Sequence, residues 1–440
     1  MAANFLRDII AGAVVLGLLV LAHEWGHFVV AKLCGVRVEV FSIGFGPRLW
    51  GWKRGDTDYR VSALPLGGYV RMAGDNPVEE RTGADYEFLS RPRWQRFLIA
   101  IAGPTTNILV TFLIFWGIYA FAGMPVDAYI QRPVDVVALA RAREGVSQIH
   151  PGDRVLSVNG VATPSWEKLA EQVKQAKPGD SLTIVVMRDR SQQSLSVTVP
   201  DGQLSLDTLI GYPMLSPVID DVQPGSPAQK AGLVPGDTVV SINGDAVSTW
   251  QQLVDRVRAS GGQAIQFAIL RDGKNLRLEI TSTHTMTPDG DTVWVIGASR
   301  KADEVFERDG VIASAKDAGS ETVLYARMIG NIFSGLFRGK VSVRDLAGPV
   351  GIARLSGDAA KSGPVALLSW MAYISLDLGL LNLLPIPILD GGHVLMLAIE
   401  GLMRRDLSIT FKERFVQVGL VFLLGLFAFV MYSDILRVIR

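Results

Sequence analysis

Four long apolar segments limit what this chain can fold into. Each has about the 20 residues that a helix needs to cross the hydrocarbon core of a bilayer. Of the 440 residues, 49% are hydrophobic and 20% are charged, which is too apolar for a purely soluble protein and too charged for a pure channel. The sequence therefore predicts a polytopic α-helical membrane protein with four transmembrane helices and a soluble part. The segments run from Ile9 to Ala31, from Phe97 to Phe121, from about Val365 to Leu389, and from Phe415 to Tyr432.

The first apolar segment contains three ionisable residues within His23-Glu24-Trp25-Gly26-His27. Ionisable side chains at membrane depth cost roughly 2.5 kcal/mol or more each and are candidates for function. Two histidines four positions apart share one helix face and can bind one metal ion, and the intervening Glu24 can accept a proton from metal-bound water. The pattern is the H-E-x-x-H motif of zinc hydrolases. A chance match on an ordinary helix is the alternative.

Basic residues are concentrated in two links between the apolar segments. The positive-inside rule predicts that both links are cytoplasmic, so that both termini and the long region from Gly123 to Pro364 are external. The first segment is expected to be retained, because no signal-peptide cleavage pattern follows it. The formal net charge of zero gives no indication of a nucleic-acid partner. The basic residues are Lys32, Arg37, Arg48, Lys53, Arg54, Arg60, Arg71, Arg91, Arg93 and Arg96 in one link, and Arg404, Arg405, Lys412 and Arg414 in the other.

The external region contains an internal repeat. The residues from Pro151 to Gly160 recur in nearly the same order from Pro235 to Gly244, and a tryptophan that begins an amphipathic helix recurs as Trp166 and Trp250. Each copy predicts a Gly-Asp turn, a short strand, an Asn-Gly turn, a helix and further strands. Two similar small α+β domains are therefore expected. The single cysteine excludes an intrachain disulfide, so ordinary cores must stabilise them.

The order of elements in each copy resembles bacterial PDZ domains. In the second copy the run from Gly225 to Leu233 precedes the Gly-Asp turn as it does in that family, whereas the first copy has Arg141 to Gln148 instead. The resemblance implies that Ile210-Gly211-Tyr212 is a carboxylate-binding loop whose backbone N–H groups hold a peptide C-terminus. A spacer or size filter that binds no peptide is the alternative.

The link between the first two apolar segments is rich in glycine and β-forming residues. Val36 to Met72 is predicted to form two hairpins rather than a helix. An open strand edge beside a membrane active site can hold a substrate in the extended form that hydrolysis requires. An ordinary cytoplasmic β-loop is the alternative.

A catalytic zinc ion needs a third protein ligand, with water in the fourth position. His150 and His284 lie in the external region. The third apolar segment is interrupted by Pro385 and Pro387 and then presents Asp390 at a turn, and broken backbone at membrane depth is tolerated where it lines a cavity. Asp377 is a rival ligand, and a plain Asp-Gly turn is the other interpretation. Spacing alone does not decide among them.

Together these motifs resemble the site-2 protease family of intramembrane zinc metalloproteases, and the paired PDZ-like domains resemble its RseP-like branch, the bacterial regulators of sigma-E. The resemblance covers nearly the whole chain. It implies a Zn²⁺ ion bound by His23, His27 and Asp390, with Glu24 as the catalytic base. The same resemblance implies that substrate contacts Asn382, Gly44, Phe45, Gly46, Pro385 and Pro387.

The resemblance also implies a location and substrates. The protein is expected in the bacterial inner membrane, with the active site open toward the cytoplasm. Its expected substrates are single-pass membrane proteins, namely an anti-sigma factor already cut outside the membrane and remnant signal peptides, in a stress response. A non-catalytic PDZ membrane binding protein and a metal transporter are the rival functions, since transporters also use broken helices and intramembrane acids.

The expected division of the chain follows from these segments. Residues 301–364 are assigned to a surface segment because apolar residues recur at helical spacing between Glu321 and Lys340. The full division is residues 1–35 for the first transmembrane helix, 36–96 for the β-rich loop, 97–122 for the second helix, 123–202 and 203–300 for the two PDZ-like domains, 301–364 for the surface segment, 365–403 for the broken third helix, and 404–440 for the basic link and the fourth helix.

Overall fold

The structure, a computed structural model, describes residues 2–75, 82–139, 148–199, 210–223, 225–287, 292–300, 303–308, 310–338 and 348–439. Residues 141–147, before the first copy of the repeat, and residues 344–347 lie outside this range. Two units are distinguished. The membrane unit consists of Met1–Met124 and Arg308–Arg440, and the repeat unit consists of Pro125–Glu307.

The described residues form ten α-helices. Helix α2 continues as a π-helix, Ile118–Ala122, and short 3₁₀ helices occur at Phe88–Ser90 and Ala128–Gln131. The helices are α1 (Ala2–Leu33), α2 (Arg93–Gly117), α3 (Trp166–Val173), α4 (Pro227–Lys230), α5 (Trp250–Ala259), α6 (Val311–Phe337), α7 (Pro349–Ser362), α8 (Pro364–Asn382), α9 (Asp390–Met403) and α10 (Ile409–Ile439).

The described residues also form 17 β-strands. They are β1 (Val38–Arg54), β2 (Thr57–Met72), β3 (Met124–Asp127), β4 (Val134–Asp135), β5 (Arg154–Val158), β6 (Val161–Ala162), β7 (Ser181–Arg188), β8 (Ser191–Thr198), β9 (Asp221–Val222), β10 (Thr238–Ile242), β11 (Asp245–Ala246), β12 (Ala264–Arg271), β13 (Lys274–Thr281), β14 (Thr283–Met286), β15 (Thr292–Val295), β16 (Ala298–Ser299) and β17 (Glu304–Glu307).

Four helical stretches in the described part of the chain are long and apolar enough to cross a membrane. They are Leu6–Leu33, Arg93–Ala122, Pro364–Asn382 and Ile409–Asp434. This agrees with the four segments predicted from the sequence. The last stretch exposes most of its apolar side chains, as expected of a helix that faces lipid.

Helix α2 is the central helix of the membrane unit and packs against α1 and α8. Hydroxyl groups join it to α8. Thr111 Oγ1 donates to the carbonyl of Ala372 at 3.0 Å, and Ser375 Oγ donates to the carbonyl of Asn107 at 2.9 Å. Helices in lipid gain little from burying apolar surface against one another, so such hydrogen bonds help to fix their relative positions.

The predicted β-rich link forms an irregular hairpin of β1 and β2. Residues 40–43 of β1 have Cα partners in two stretches of β2, residues 58–61 and residues 68–71. Gly44 and Gly46 have φ angles of +89° and +88°, a region that favours glycine, and the register shifts at this point. The glycines therefore let the long strand bend and bring residues 68–72 beside α1.

The two copies of the repeat fold alike. In the first, β5 lies between β4 and β7, and β7 pairs with β8; in the second, β10 lies between β11 and β12, and β12 pairs with β13. Both Asn-Gly turns place the asparagine at positive φ, +50° at Asn159 and +51° at Asn243. Each helix begins after a hydroxyl cap, because Ser165 and Thr249 accept hydrogen bonds from N–H groups of the first turn.

An aspartate of the Gly-Asp turn is buried in each copy and is held by one arginine. Arg188 donates two hydrogen bonds to Asp153, both 2.7 Å, and Arg271 donates two to Asp237, at 2.6 and 2.7 Å. Burial opposes ionisation, but the hydrogen bonds from the guanidinium groups outweigh it and lower the pKa of each carboxyl. Asp153 and Asp237 therefore form structural ion pairs with Arg188 and Arg271.

Candidate metal centre

The H-E-x-x-H motif lies within α1, and its two histidines share one face. His23 and His27 are 7% and 8% exposed, and their Nε2 atoms are 3.2 Å apart. Trp25 is exposed. The spacing of four residues therefore places both imidazoles side by side in the interior, as the sequence predicts.

Asp390 completes a triangle of potential ligand side chains with His23 and His27. Its Oδ2 is 3.0 Å from His23 Nε2, and its Oδ1 is 3.4 Å from His27 Nε2. Tetrahedral zinc with ligands at 2.0–2.1 Å requires neighbouring ligand atoms to be about 3.3 Å apart. The three residues therefore fit a zinc ion by donor type and by spacing. They form the one group of three or more potential metal ligands found among the described residues, and Asp377 does not belong to it.

The break between α8 and α9 positions Asp390. Helix α8 ends at Asn382, and α9 begins at Asp390 itself. Ile388 has a φ of +80°, which is strained for a β-branched residue and reverses the chain just before the ligand. Gly392 lies so close to the break that a Cβ on it would lie 2.4 Å from the carbonyl oxygen of Ile386. The glycines after Asp390 therefore let α9 begin directly against the break.

Glu24 lies beside the triangle and is held by β2. Its Oε2 accepts a hydrogen bond from the Val70 N–H at 3.1 Å. A Cβ on Gly68 would lie 3.7 Å from Glu24 Cγ and 2.6 Å from the carbonyl oxygen of Ser42, so this stretch of β2 is closely packed. The strand stretch at residues 68–72 is therefore the part of the β-rich link that reaches the candidate site.

Helix α2 supports the histidines from the other side. The Nδ1 atom of His27 is 2.7 Å from the carbonyl oxygen of Ile99. Gly103, one turn further along α2, has no room for a side chain, because a Cβ would lie 2.6 Å from His23 Nε2 and closer still to His27. This helix face was not predicted from the sequence, where its signal is the spacing of four residues between Ile99 and Gly103 in the second apolar segment.

A cavity of about 490 Å³ adjoins the triangle. Among the residues predicted to bind substrate, Asn382 lines this cavity. Phe45 does not line it but stacks on Tyr69, which does, with ring centroids 6.0 Å apart. The lining consists of Val20, His23, Glu24, His27, Tyr69, Val70, Met72, Asp75, Phe88, Ile99, Ala100, Asn107, Leu378, Asn382, Ile388, Leu389, Asp390 and His393.

The other residues predicted to bind substrate lie away from the cavity lining. Pro387 packs closely against Gly419 of α10, where a Cβ would lie 2.9 Å from the carbonyl carbon of Pro387. Pro385 lies in the break, and Gly44 and Gly46 lie at the bend of β1. The structure therefore assigns these residues to the shape of the backbone around the site, and it does not place them on the cavity wall.

The predicted carboxylate-binding loop lies in the first copy of the repeat and not in the second. Ile210 is fully buried in the core of the first copy, although the predicted boundary at residue 202 assigns it to the second domain. The Tyr212 N–H donates to the Ala138 carbonyl at 2.7 Å, so that N–H is not available to a peptide terminus. The Tyr212 hydroxyl contacts Asp255 of α5.

A matching loop in the second copy was missed. Ile296 is buried in the core of the second copy, and Gly297 has a φ of +76°, as Gly211 has a φ of +126° in the first copy. In each copy the residue after this glycine pairs with a residue near the start of the same copy, Tyr212 with Ala138 and Ala298 with Val222. The sequence signal is an Ile-Gly pair that recurs at nearly the same distance after both Asn-Gly turns.

Comparison with known proteins agrees with this geometry. The model of Peptidase family M50 matches residues 11–426, which include His23, Glu24, His27 and Asp390. The chain is 33% identical to the regulator of sigma-E protease RseP of Escherichia coli (strain K12), over 99% of both chains. It is 32% identical to a putative zinc metalloprotease of Vibrio cholerae, again over 99% of both chains. With the regulator of sigma E protease of Haemophilus influenzae the identity is 30%, over 99% of this chain and 100% of that protein. The chain therefore belongs to peptidase family M50 and is a metalloprotease with four candidate membrane-spanning helices.

Proposed function

We propose that this metalloprotease hydrolyses peptide bonds within the transmembrane segments of other membrane proteins, with a Zn²⁺ ion bound by His23, His27 and Asp390. The observation that carries the proposal is the triangle of side chains beside Glu24, on a helix long enough to span a membrane. The two Nε2 atoms are 3.2 Å apart, and each lies within 3.4 Å of one carboxylate oxygen of Asp390. A metal transporter requires the ligands but does not require a carboxylate base beside them.

The residues around the triangle have distinct roles in this proposal. When bound, zinc lowers the pKa of its water toward about 7 and polarises the scissile carbonyl. Glu24 accepts a proton from the attacking water and delivers it to the leaving amine. The hydrogen bond from the Val70 N–H holds the carboxylate in position, and Asn382 on the cavity wall contacts the substrate backbone.

Residues 68–72 of β2 are the proposed platform for an unwound substrate. A helical peptide bond is shielded by its own hydrogen bonds, so the substrate must be extended before it is cleaved, and pairing with a strand edge stabilises that form. Val70 is the supporting residue, because its N–H donates to Glu24 and this stretch of β2 therefore lies against the candidate site. Val70→Pro also removes the hydrogen bond to Glu24, so a raised KM with zinc content unchanged would support the platform, whereas normal cleavage or a loss confined to kcat would contradict it.

The relatives suggest the substrate class. Two of the relatives named above are regulators of sigma-E. We infer for this chain a place in the bacterial inner membrane, with both termini and the repeat unit external and the site open toward the cytoplasm. Its substrates are single-pass proteins, namely a shortened anti-sigma factor and remnant signal peptides.

The two copies of the repeat are proposed to be PDZ-like domains that exclude substrates with bulky external parts. Their strand order and the buried Ile-Gly loops support this assignment. Exclusion is favoured over recognition of a peptide C-terminus, because the Tyr212 N–H is already bonded within the first copy. Replacing residues 125–307 by a Gly/Ser linker should let intact substrates be cut. Continued dependence on a first cut would contradict exclusion.

The decisive experiment compares purified wild type with Glu24→Gln on a model transmembrane substrate. Both proteins should contain equal zinc, because Glu24 is not a ligand, and the variant should cleave at least about 100-fold more slowly, since general-base catalysis contributes about 10² to 10⁴. Gln keeps the size and an acceptor for the Val70 N–H. Cleavage by neither protein, with zinc present in both, would favour a non-catalytic binding protein or a transporter.

A further inference from the structure

Asn107 is a buried polar residue that neither the motifs nor the proposed roles use. It follows Ile99 and Gly103 at intervals of four residues along α2, so the three share one helix face. The first two already touch the motif, Ile99 through its carbonyl and Gly103 through its close approach to both Nε2 atoms. The third is 0% exposed and lies against His23.

The side chain of Asn107 has one unsatisfied atom. Its Nδ2 is 3.4 Å from His23 Nδ1, and among the residues that the structure describes its Oδ1 has no hydrogen-bond partner. An unpartnered buried amide oxygen costs about 1–3 kcal/mol, so its orientation requires an explanation.

The chemistry of His23 supplies that explanation. Its Nε2 faces Asp390 and His27, and an imidazole nitrogen that binds a metal must offer a lone pair, so the ring proton resides on Nδ1. An amide nitrogen cannot accept that proton, whereas an amide oxygen can. A half-turn of the amide exchanges the two atoms and brings Oδ1 to the Nδ1–H.

His27 shows the same arrangement with a backbone acceptor. Its Nδ1 lies 2.7 Å from the Ile99 carbonyl oxygen. Metal-binding histidines usually donate their second ring N–H in this way, which fixes the tautomer and the ring orientation. One face of α2 would then hold both histidines, one through a main-chain carbonyl and the other through a side-chain carbonyl.

We propose that Asn107 is a positioning residue for the metal centre, with its side-chain carbonyl accepting the Nδ1–H of His23. The inference rests on the proposed zinc site. The backbone at Asn107 is itself fixed, since its carbonyl accepts a hydrogen bond from the Ser375 hydroxyl at 2.9 Å. The acceptor is therefore held in place by α8 as well as by its own helix.

The test measures zinc affinity of the full-length purified protein by competition with a chromogenic chelator. Asn107→Ala and Asn107→Leu remove the acceptor and should weaken zinc binding about 10- to 100-fold. Asn107→Asp keeps an acceptor and should bind zinc within a few-fold of wild type. Thr105→Ala, which removes an exposed hydroxyl of the same helix that donates to the Ile101 carbonyl, is the matched control and should bind zinc as wild type does.

The outcomes separate this role from others. Both Asn107→Ala and Asn107→Leu are measured, because the test is valid if at least one of them folds. Thermal unfolding of the apo-protein shows which of the two variants folds. Unchanged zinc affinity in a folded removal variant would overturn the inference, as would failure of Asn107→Asp to restore binding. A raised KM with normal zinc affinity would assign Asn107 to substrate contact and also overturn it. Absence of zinc binding by wild type would overturn the proposed function itself.

Discussion

The membrane unit and the repeat unit each enclose an aspartate, half-buried Asp390 and buried Asp237, but the two are partnered differently. In the repeat unit Asp237 is fully buried, and Arg271 binds both of its oxygens, so the chain itself completes the ion pair. In the membrane unit Asp390 faces two imidazoles and no arginine or lysine is paired with it among the described residues. The pair of Asp237 and Arg271 is therefore a complete structural ion pair. Asp390 and the two histidines instead present a set of donor atoms that can bind a cation.

The largest effect on zinc binding is expected at Gly103, where no space is left for a side chain beside His23 and His27. Gly103→Val should abolish zinc binding and reduce cleavage by more than about 100-fold, because even small displacements of catalytic groups cost this much. Its side chain would collide with both Nε2 atoms. Gly117→Ala is the control on the same helix, since a Cβ there meets nothing within 4 Å. Zinc analysis and a cleavage assay measure both, and normal zinc content in Gly103→Val would contradict the geometry.

A smaller effect is expected when the ion pair between Arg271 and Asp237 is broken. Arg271→Met should destabilise the second copy, because it leaves the buried Asp237 carboxylate without its guanidinium partner, and the effect is reduced because Arg271 is partly exposed. Zinc content should not change. Arg277→Met on the exposed side of β13 is the control. Hydrogen exchange of residues 227–281 in the full chain measures the effect, and equal protection in the two variants would show that Asp237 needs no partner.

The smallest effect is expected in the pH dependence of the stability of the repeat unit. The pKa values of Asp153 and Asp237 are lowered in the folded state, so their contribution is fully present above the unfolded value of about 3.9. That contribution should be lost as the pH falls from there through the lowered folded values. Zinc should leave at milder acidity, because protons compete with metal for imidazole. Circular dichroism and zinc release, followed against pH, give the two curves, and coincident curves would remove the distinction between the units.

Much of the candidate site followed from local patterns. The spacing of His23 and His27 on an apolar helix predicted their shared face, and it predicted the position of Glu24 beside them. The choice of Asp390 over Asp377 did not follow from spacing, because either acid lies in the third apolar segment and only the turn of the chain between α8 and α9 selects one. Resemblance to a known family supplied that choice before the geometry did.

The assignment of Ile210-Gly211-Tyr212 shows where local patterns mislead. In the sequence this loop stands just before the second copy, and proximity assigned it there. In the structure it pairs with Ala138 and fills the core of the first copy. Strand pairing between residues far apart in the chain decided its place, and no local periodicity reports such pairing.

By itself the sequence determined the four apolar segments, the duplicated α+β unit and the facing histidines, because helical and strand periodicity are properties of neighbouring residues. Only the tertiary structure decided which acid meets those histidines, which stretch of β2 reaches Glu24, and which residues of α2 support the imidazoles. Ile99 and Asn107 lie 72 and 84 positions from their histidine partners. Contacts at that separation arise from the packing of whole helices, which depends on the close approach that Gly103 permits.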